Sequence, residues 1–494
     1  MSYWLGLDCG GTFIKAGLYN AQGRELAVAR QSLPVLVPEP GRAERDLHQL
    51  WQQAATVIRQ VLENSGLDAA QVAGVGISAQ GKGLFLLDKQ GEPLGNGILS
   101  SDRRALALVQ QWQRDGVPAA LYPVTRQTLW TGHPVSLLRW VKLHEPQRYA
   151  AIGSVLMAHD YLRYRLTGEL ACEETNISES NLYDMQQGDF SPALAQRLGI
   201  AEILPALPAI IGSAAVAGTV TAGAAALCGL KPGTPVVGGL FDVVSTALCA
   251  GLDDDTRINA VMGTWSVTSG ITDRLSDEVD YPFVYGRYAI DGQYIIHEAS
   301  PTSAANLEWF CQQWGLNDYP RLNQWVAELP PAASSLLFVP FLYGNNAGGN
   351  LHASFYGLQA AHQRGHLLQA IYEGVVFAHL THLNRIRQRF PRVTALRLSG
   401  GPTRSACWMQ MFADISGLPV EIPQIEESGC LGAALVAMTG TGAYPSLLAA
   451  QQTLAPEVVC YQPDAERHRL YQQKYQRYQR LVAALTAVEQ ETTP

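Results

Sequence analysis

The stretch YWLGLDCGGTFIKAGLYN, residues 3–20, decides how the rest of the chain is read. An apolar run over 3–7 ends at Asp8, two glycines follow, and apolar and polar residues then alternate over 14–18. Strand-like sequence on both sides of a Gly-Gly pair predicts two strands joined by a turn. A dinucleotide-binding loop would instead open a helix after its glycines. Here Phe13, Ile14, Leu18 and Tyr19 favour extended backbone, and Gly17 weakens a helix. The P-loop spacing G-x-x-x-x-G-K-[ST] is absent as well. A glycine-rich β-turn can still cradle phosphate, because Gly10 and Gly11 let backbone N–H groups come close to anionic oxygens. Thr12 adds a hydroxyl donor and Lys15 a cation. Asp8 repels phosphate at neutral pH, so its place beside such a turn makes sense with Mg2+ between them, held through water. The other reading of the same residues is a plain hairpin turn with an exposed Asp.

A second stretch repeats the first. RINAVMGTWSVTSGIT, residues 257–272, is again an apolar strand, a turn holding Gly263 and Thr264, and a returning strand of period-two character. Two such hairpins, each opening a large half, predict two related domains with a ligand held between them. The boundary falls near 253–256, giving domains at 1–252 and 253–494. Within the first, residues 47–62, opened by Glu44 and Asp46, carry apolar residues at helical spacing, and VAGVGIS at 72–78 reads as a buried strand. Helices are predicted at 104–115, 135–142 and 149–166, and a strand, turn and helix in PVVGGLFDVVSTALCAG, residues 235–251. A charged amphipathic helix, 463–489, closes the chain. Interleaved strands and helices make the class mixed α/β.

Composition narrows the functions. The 494 residues are 47% hydrophobic and 16% charged, a folded chain long enough for two or more domains. A formal net charge of −8 gives no reason to expect nucleic acid or an anionic membrane as partner. The eight cysteines are scattered without a C-x-x-C pair, which fits neither a disulfide framework nor a zinc site. No basic-then-apolar leader is visible, and the apolar region 204–252 is broken repeatedly by Gly and Pro. A cytoplasmic protein is the expectation.

Asp242 stands out in VVGGLFDVVSTALCAG, after a Gly-Gly turn and before a helix-like run. Two roles suit it: a helix N-cap, or a general base accepting the proton of a hydroxyl as phosphorus is attacked.

Together these motifs resemble the FGGY family of carbohydrate kinases, over nearly the whole chain. DCGGTFIK, residues 8–15, resembles the first phosphate motif D-x-G-T-[ST]-x-x-[KR], with Gly11 where its first Thr is usual and so one hydroxyl fewer. GISAQGKG (76–83) resembles the sugar-contacting stretch, and ILSSDRRA (98–105) the W-x-D-x-R segment with Ser100 in place of Trp. HDYLRYRLTGE (159–169) resembles K-D-Y-L-x-x-x-L-T-G-E with His159 in place of Lys. In the second half, GTWSVTSG (263–270) resembles the second phosphate loop, and PFLYGNNAGGNLHASFYGL (340–358) the segment before a helix carrying Glu373-Gly374. LSGGPTRSACWMQMFADISGLPV (398–420) is the most specific match, and EESGCLGAALVA (426–437) resembles the closing Gly-Ala-Ala helix beside the nucleotide.

The resemblance implies two actin-like ATPase (ribonuclease H-like) domains around a cleft, with ATP and Mg2+. It implies Asp242 as the catalytic base, and Gln80, Gly81, Lys82, Asp102, Arg103, Trp130 and Asp242 as the sugar contacts. Nucleotide contacts would come from Gly10, Gly11, Thr12, Lys15, Gly263, Thr264, Gly400, Gly401 and Ser405, and Asp8 would hold Mg2+ through water. The implied reaction phosphorylates the terminal hydroxyl of a ketopentose or related keto-sugar, first L-xylulose and second 3-keto-L-gulonate. A homodimer is the implied assembly. Rival readings are another sugar specificity in the family and, from a different class, a non-catalytic regulator that binds ATP or sugar. A DNA-binding regulator would need a helix-turn-helix and a basic face. His362 with His366, and His379 with His382, have a helical spacing but no further ligand motif, and read as helix-face residues.

Overall fold

The computed structural model describes residues 2–263, 265–276, 283–344 and 351–492. The first hairpin forms as its sequence predicts: Tyr3–Cys9 pairs antiparallel with Phe13–Asn20, from Tyr3 opposite Asn20 to Cys9 opposite Ile14. The other edge of Tyr3–Cys9 pairs in parallel with Val72–Ala79. Leu5, Leu7, Ile14 and Leu18 are buried with Val75 and Ile77 in one apolar core. The helix Leu47–Ser65 covers this sheet with Leu50, Ala54, Val57, Ile58 and Val61. Asp46 caps it by accepting the Gln49 N–H at 2.9 Å, a contact worth about 1 kcal/mol.

Five neighbouring strands of the first sheet run Phe13–Asn20, Tyr3–Cys9, Val72–Ala79, Pro235–Val237 and Val216–Thr219. In the second sheet five neighbours run Ser266–Thr272, Arg257–Met262, Ala395–Ser399, Val420–Pro423 and Val458–Tyr461. The two sets match strand for strand: an antiparallel hairpin, two parallel additions, and an antiparallel last strand. This repeated order is the ribonuclease H-like arrangement of actin-like ATPases, so the faint sequence repeat marks two copies of one topology.

The compact units are each assembled from several segments: the first is Met1–Asp253, Thr272–Ile296 and Ile425–Ala455, and the second is Asp254–Ile271, His297–Gln424 and Pro456–Pro494. Ile425–Ala455 joins the first unit because Gly6 and Gly76 of the first sheet leave room for the backbone of Ser428–Gly440. An added Cβ on Gly6 would stand 1.8 Å from Cys430 O, and one on Gly76 1.9 Å from Ala433 O. This helix therefore packs its backbone directly on the first sheet, which no larger side chains would permit. One expectation is corrected: residues 149–166 are not one helix. They form Pro146–Ala150, a strand Ile152–Leu156 and a helix Ala158–Thr167. The strand pairs with Phe85–Asp88, so tertiary pairing overrides the local helical spacing.

All eight cysteines are free. Among the described residues no helix is long and apolar enough to cross a membrane.

Candidate active site

The first turn rests on its own backbone and on one buried arginine. Gly10 N–H donates to Phe13 O at 3.0 Å and is spent closing the turn, while Gly11 and Thr12 stand exposed at its tip. Arg45, 2% exposed, donates to the carbonyls of Gly10 at 3.3 Å and Gly11 at 2.7 Å. In a trans peptide C=O and N–H point in opposite directions. Pinning those two carbonyls therefore aims the N–H groups of Gly11 and Thr12 away from Arg45, as an anion cradle requires. No local sequence signal marks Arg45, because its partners lie more than thirty residues away. Lys15 donates to Glu427 Oε2 at 2.6 Å. Burial works against its charge, but Glu427 outweighs burial and raises the Lys15 pKa.

Asp8 and Asp242 stand at one edge of the first sheet. Asp8 lies opposite Ser78, and Ser78 opposite Leu240, two residues before Asp242. The start of the helix Ser428–Gly440 abuts Asp8: an added Cβ on Gly429 would stand 2.2 Å from Asp8 Cγ. Asp8 Oδ1 is buried without a hydrogen-bond partner. Burial pushes the Asp8 carboxyl up to about 6, opposed by Lys15. For Asp242, burial first and the charge of Asp8 second push it up to about 7. The helix Asp242–Cys249 has Phe241 as its N-cap residue, with no side-chain cap. Asp242 is thus a first-turn residue and not the cap.

The Gln80–Lys82 loop packs on the ring of Phe241. An added Cβ on Gly81 would come within 2.3 Å of that ring, and Lys82 Nζ lies 5.1 Å from its centroid. Lys82 has φ +62°, donates its N–H to Asn176 Oδ1 at 2.9 Å, and places Nζ 2.5 Å from Glu179 Oε2. Gln80 Nε2 is buried without a hydrogen-bond partner from the protein. Trp130 is 46% exposed, its indole N–H held on Ser100 O at 3.1 Å. Asp102 is engaged by donors of the protein itself. It is fully buried, and its oxygens accept from Ala43 N at 2.7 Å and from Arg104 N, Nε and NH2 at 2.8 to 2.9 Å. That carboxylate is occupied in fixing its own loop. Arg103 is exposed and holds Gly41 O by its backbone N–H at 2.7 Å.

In the second unit, Gly263 N–H closes its turn on Trp265 O at 3.1 Å, as Gly10 does in the first. Thr264 lies outside the described residues. Gly400 turns the chain out of Ala395–Ser399 with φ +108°, and Gly401 and Ser405 line a cavity of about 430 Å3 with Tyr319, Asn323, Tyr372 and Trp408. Tyr372 and Trp408 stack with centroids 4.1 Å apart. Ser405 caps the helix Ala406–Ser416 and donates to Asn323 Oδ1 at 2.8 Å. Tyr319, Asn323 and Tyr372 escaped the sequence reading because they come from two other helices. Of the histidines, His362 lies just before the helix Arg364–Ile386 and not on its face, accepting the Gln359 N–H at 3.0 Å, while His379 and His382 are taken up by neighbours. His379 bridges Ser266 and Ser303 at 3.0 Å each, with burial pushing it down to about 3, and His382 holds Glu298 at 2.6 Å.

A doubled ribonuclease H-like sheet, a glycine turn beside two carboxylates, and a separate aromatic cavity define an ATP-using phosphotransferase. The signature of the N-terminal domain of the FGGY family of carbohydrate kinases matches residues 3–249, and that of its C-terminal domain residues 258–441. The chain belongs to this family. It is 62% identical to the L-xylulose/3-keto-L-gulonate kinase of Escherichia coli (strain K12), over 98% of this chain and 97% of that protein. The autoinducer-2 kinase of the same organism is 28% identical, over 97% of this chain and 93% of that protein. Among solved structures, the xylulose kinase from Rhodospirillum rubrum superposes with a TM-score of 0.90 at 26% identity, covering 99% of this chain and 100% of that one.

Proposed function

We propose that this protein transfers the γ-phosphoryl group of ATP to the terminal hydroxyl of a keto-sugar, L-xylulose first and 3-keto-L-gulonate second. The observation that carries the reading is Asp242, a first-turn carboxylate pushed up to about 7 by burial and by Asp8. A base with that affinity is half-charged near neutrality and strong enough to take a hydroxyl proton as the oxygen attacks phosphorus. The identity to a relative named for these two acceptors, at 62% over almost the whole chain, supports the acceptor class; the autoinducer-2 kinase at 28% is a reminder that family membership alone leaves it open.

Each group has a defined task. Asp242 orients the acceptor hydroxyl and receives its proton. Gln80, Gly81, Lys82 and Trp130 bind the sugar, and Arg103 stands exposed to do so. Asp102, with both oxygens occupied, is read as fixing its own loop. The amides of Gly11 and Thr12, aimed by Arg45, receive phosphate oxygens. The Tyr372–Trp408 cavity beside Gly401 and Ser405 suits the nucleotide base and ribose. The residues fit Mg2+: Asp8 offers a buried, unpartnered oxygen, and this ion needs few protein ligands when water and phosphate supply the rest. When bound it would neutralise charge on the phosphate oxygens. The free cysteines fit a reducing cytoplasm, and the implied homodimer is checked by sedimentation.

The deciding measurement is coupled ADP release across L-xylulose, 3-keto-L-gulonate, D-xylulose, ribulose, an aldopentose and glycerol. The expected result is highest kcat/KM on L-xylulose. Turnover on glycerol or an aldose alone would overturn the keto-sugar assignment.

A further inference from the structure

The segment EETN, residues 173–176, touches both parts of the proposed transfer site from behind, although nothing in its sequence marks it as functional. Glu173 is fully buried, yet its carboxylate is saturated with donors. Oε1 accepts Thr175 N–H at 2.9 Å and Ser213 Oγ–H at 2.8 Å. Oε2 accepts Thr175 Oγ–H at 2.8 Å and Asn176 N–H at 3.3 Å. Thr175 Oγ in turn accepts the N–H of Phe241 at 2.9 Å, the residue immediately before Asp242. Asn176 takes Lys82 N–H on Oδ1 at 2.9 Å and donates from Nδ2 to Gln80 O at 3.4 Å. Thr175 and Asn176 are themselves 1% and 0% exposed.

We infer that Glu173, Thr175 and Asn176 form one positioning unit that sets the base and the sugar loop together. A hydroxyl that gives its proton to a carboxylate becomes a better acceptor, so the chain Phe241 N–H to Thr175 O–H to Glu173 is stiffer than its separate bonds. It fixes the peptide on which Asp242 begins its helix. The neighbouring residue, Asn176, fixes both ends of the Gln80–Lys82 loop, which itself rests on the Phe241 ring. One buried carboxylate therefore fixes the distance between acceptor and base. The inference rests on the kinase reading, since it assigns positions relative to that reaction.

The test uses Thr175→Val, which keeps the shape and removes the hydroxyl, with Thr175→Ser as the conservative variant. Coupled ADP release is measured in the wild-type and Asp242→Asn backgrounds. Displacing a reacting group by about 1 Å costs about 100-fold in rate, so kcat should fall by about that factor in Thr175→Val, with KM for ATP unchanged. Thr175→Ser should restore it to within about threefold, and in the Asp242→Asn background Thr175→Val should have no further effect. Asn176→Ala should instead raise KM for the sugar while leaving KM for ATP alone. Should Thr175→Val fail to fold, Thr175→Ala carries the same comparisons. Equal losses in both backgrounds, or wild-type turnover in Thr175→Val, would overturn the inference. Absence of sugar-dependent ADP release by the wild type would sink the kinase reading instead.

Discussion

The two hairpins share a scaffold and differ in charge. In both, the first glycine spends its N–H closing the turn, and the first strand takes a parallel neighbour on its far side. Counting back from the last paired residues, Cys9 with Ile14 and Met262 with Ser266, the cross-strand pair Asp8–Lys15 corresponds to Val261–Val267. One copy of the topology carries an acid and a cation at the mouth of its turn, where the other carries two valines. Strand order and turn closure are thus what the fold needs. The acid is an addition, and it lies near a further carboxylate, Asp242, whose affinity for protons it raises.

The largest effect should come from Asp242. General bases contribute about 100- to 10,000-fold, so Asp242→Asn should lower kcat within that range and leave KM for ATP unchanged. Near-normal ADP release would remove the charged hairpin's neighbour from the reaction. Next comes a transplant: Asp8→Val gives the first hairpin the residue of the second. The fold should persist, and the Mg2+ concentration for half-maximal rate should rise by about 10- to 100-fold, as for other groups acting on a metal through water. An unchanged Mg2+ response would mean that the charge difference between the hairpins has nothing to do with metal.

The comparison also separates what the sequence could reveal from what it could not. Both hairpins were legible because period-two alternation around a glycine turn is a local property, and the helix Leu47–Ser65 because Asp46 and its apolar spacing are local too. Residues 149–166 misled because the strand Ile152–Leu156 is dictated by a partner some seventy residues earlier. The return of Ile425–Ala455 to the first unit depends on glycine and alanine letting one backbone touch another, and spacing rules carry no such information. At the site, Asp8 and Asp242 could be picked out because a carboxylate beside glycines is unusual. Asp102 was named through the W-x-D-x-R resemblance, and only coordinates show that four donors already occupy it. Arg45 and Thr175 act through backbone atoms distant in sequence, so residue type alone gave no sign of them.

A smaller effect should appear in the pH dependence of rate. Asp242 must be unprotonated to accept a proton, and it is held up at about 7. The value of kcat/KM for the sugar should therefore fall about tenfold per pH unit below 7 and level off above it. A plateau extending down to pH 5 would assign the base to another group.

The smallest effect concerns stability. An aspartate has an ordinary pKa of 3.8, and in the folded chain Asp242 reaches about 7. Between these values the folded state binds the proton more tightly than the unfolded chain, so stability falls as pH rises through that window. The cost is absent below about pH 4 and complete above about pH 7. Asn carries no titrating charge, so Asp242→Asn should match the wild type in Tm at pH 4 and exceed it by a few degrees at pH 8. The valine pair of the second hairpin carries no such charge. If the Asp242→Asn gain is the same at both pH values, the carboxylate is not held in the uncompensated state that separates the two halves.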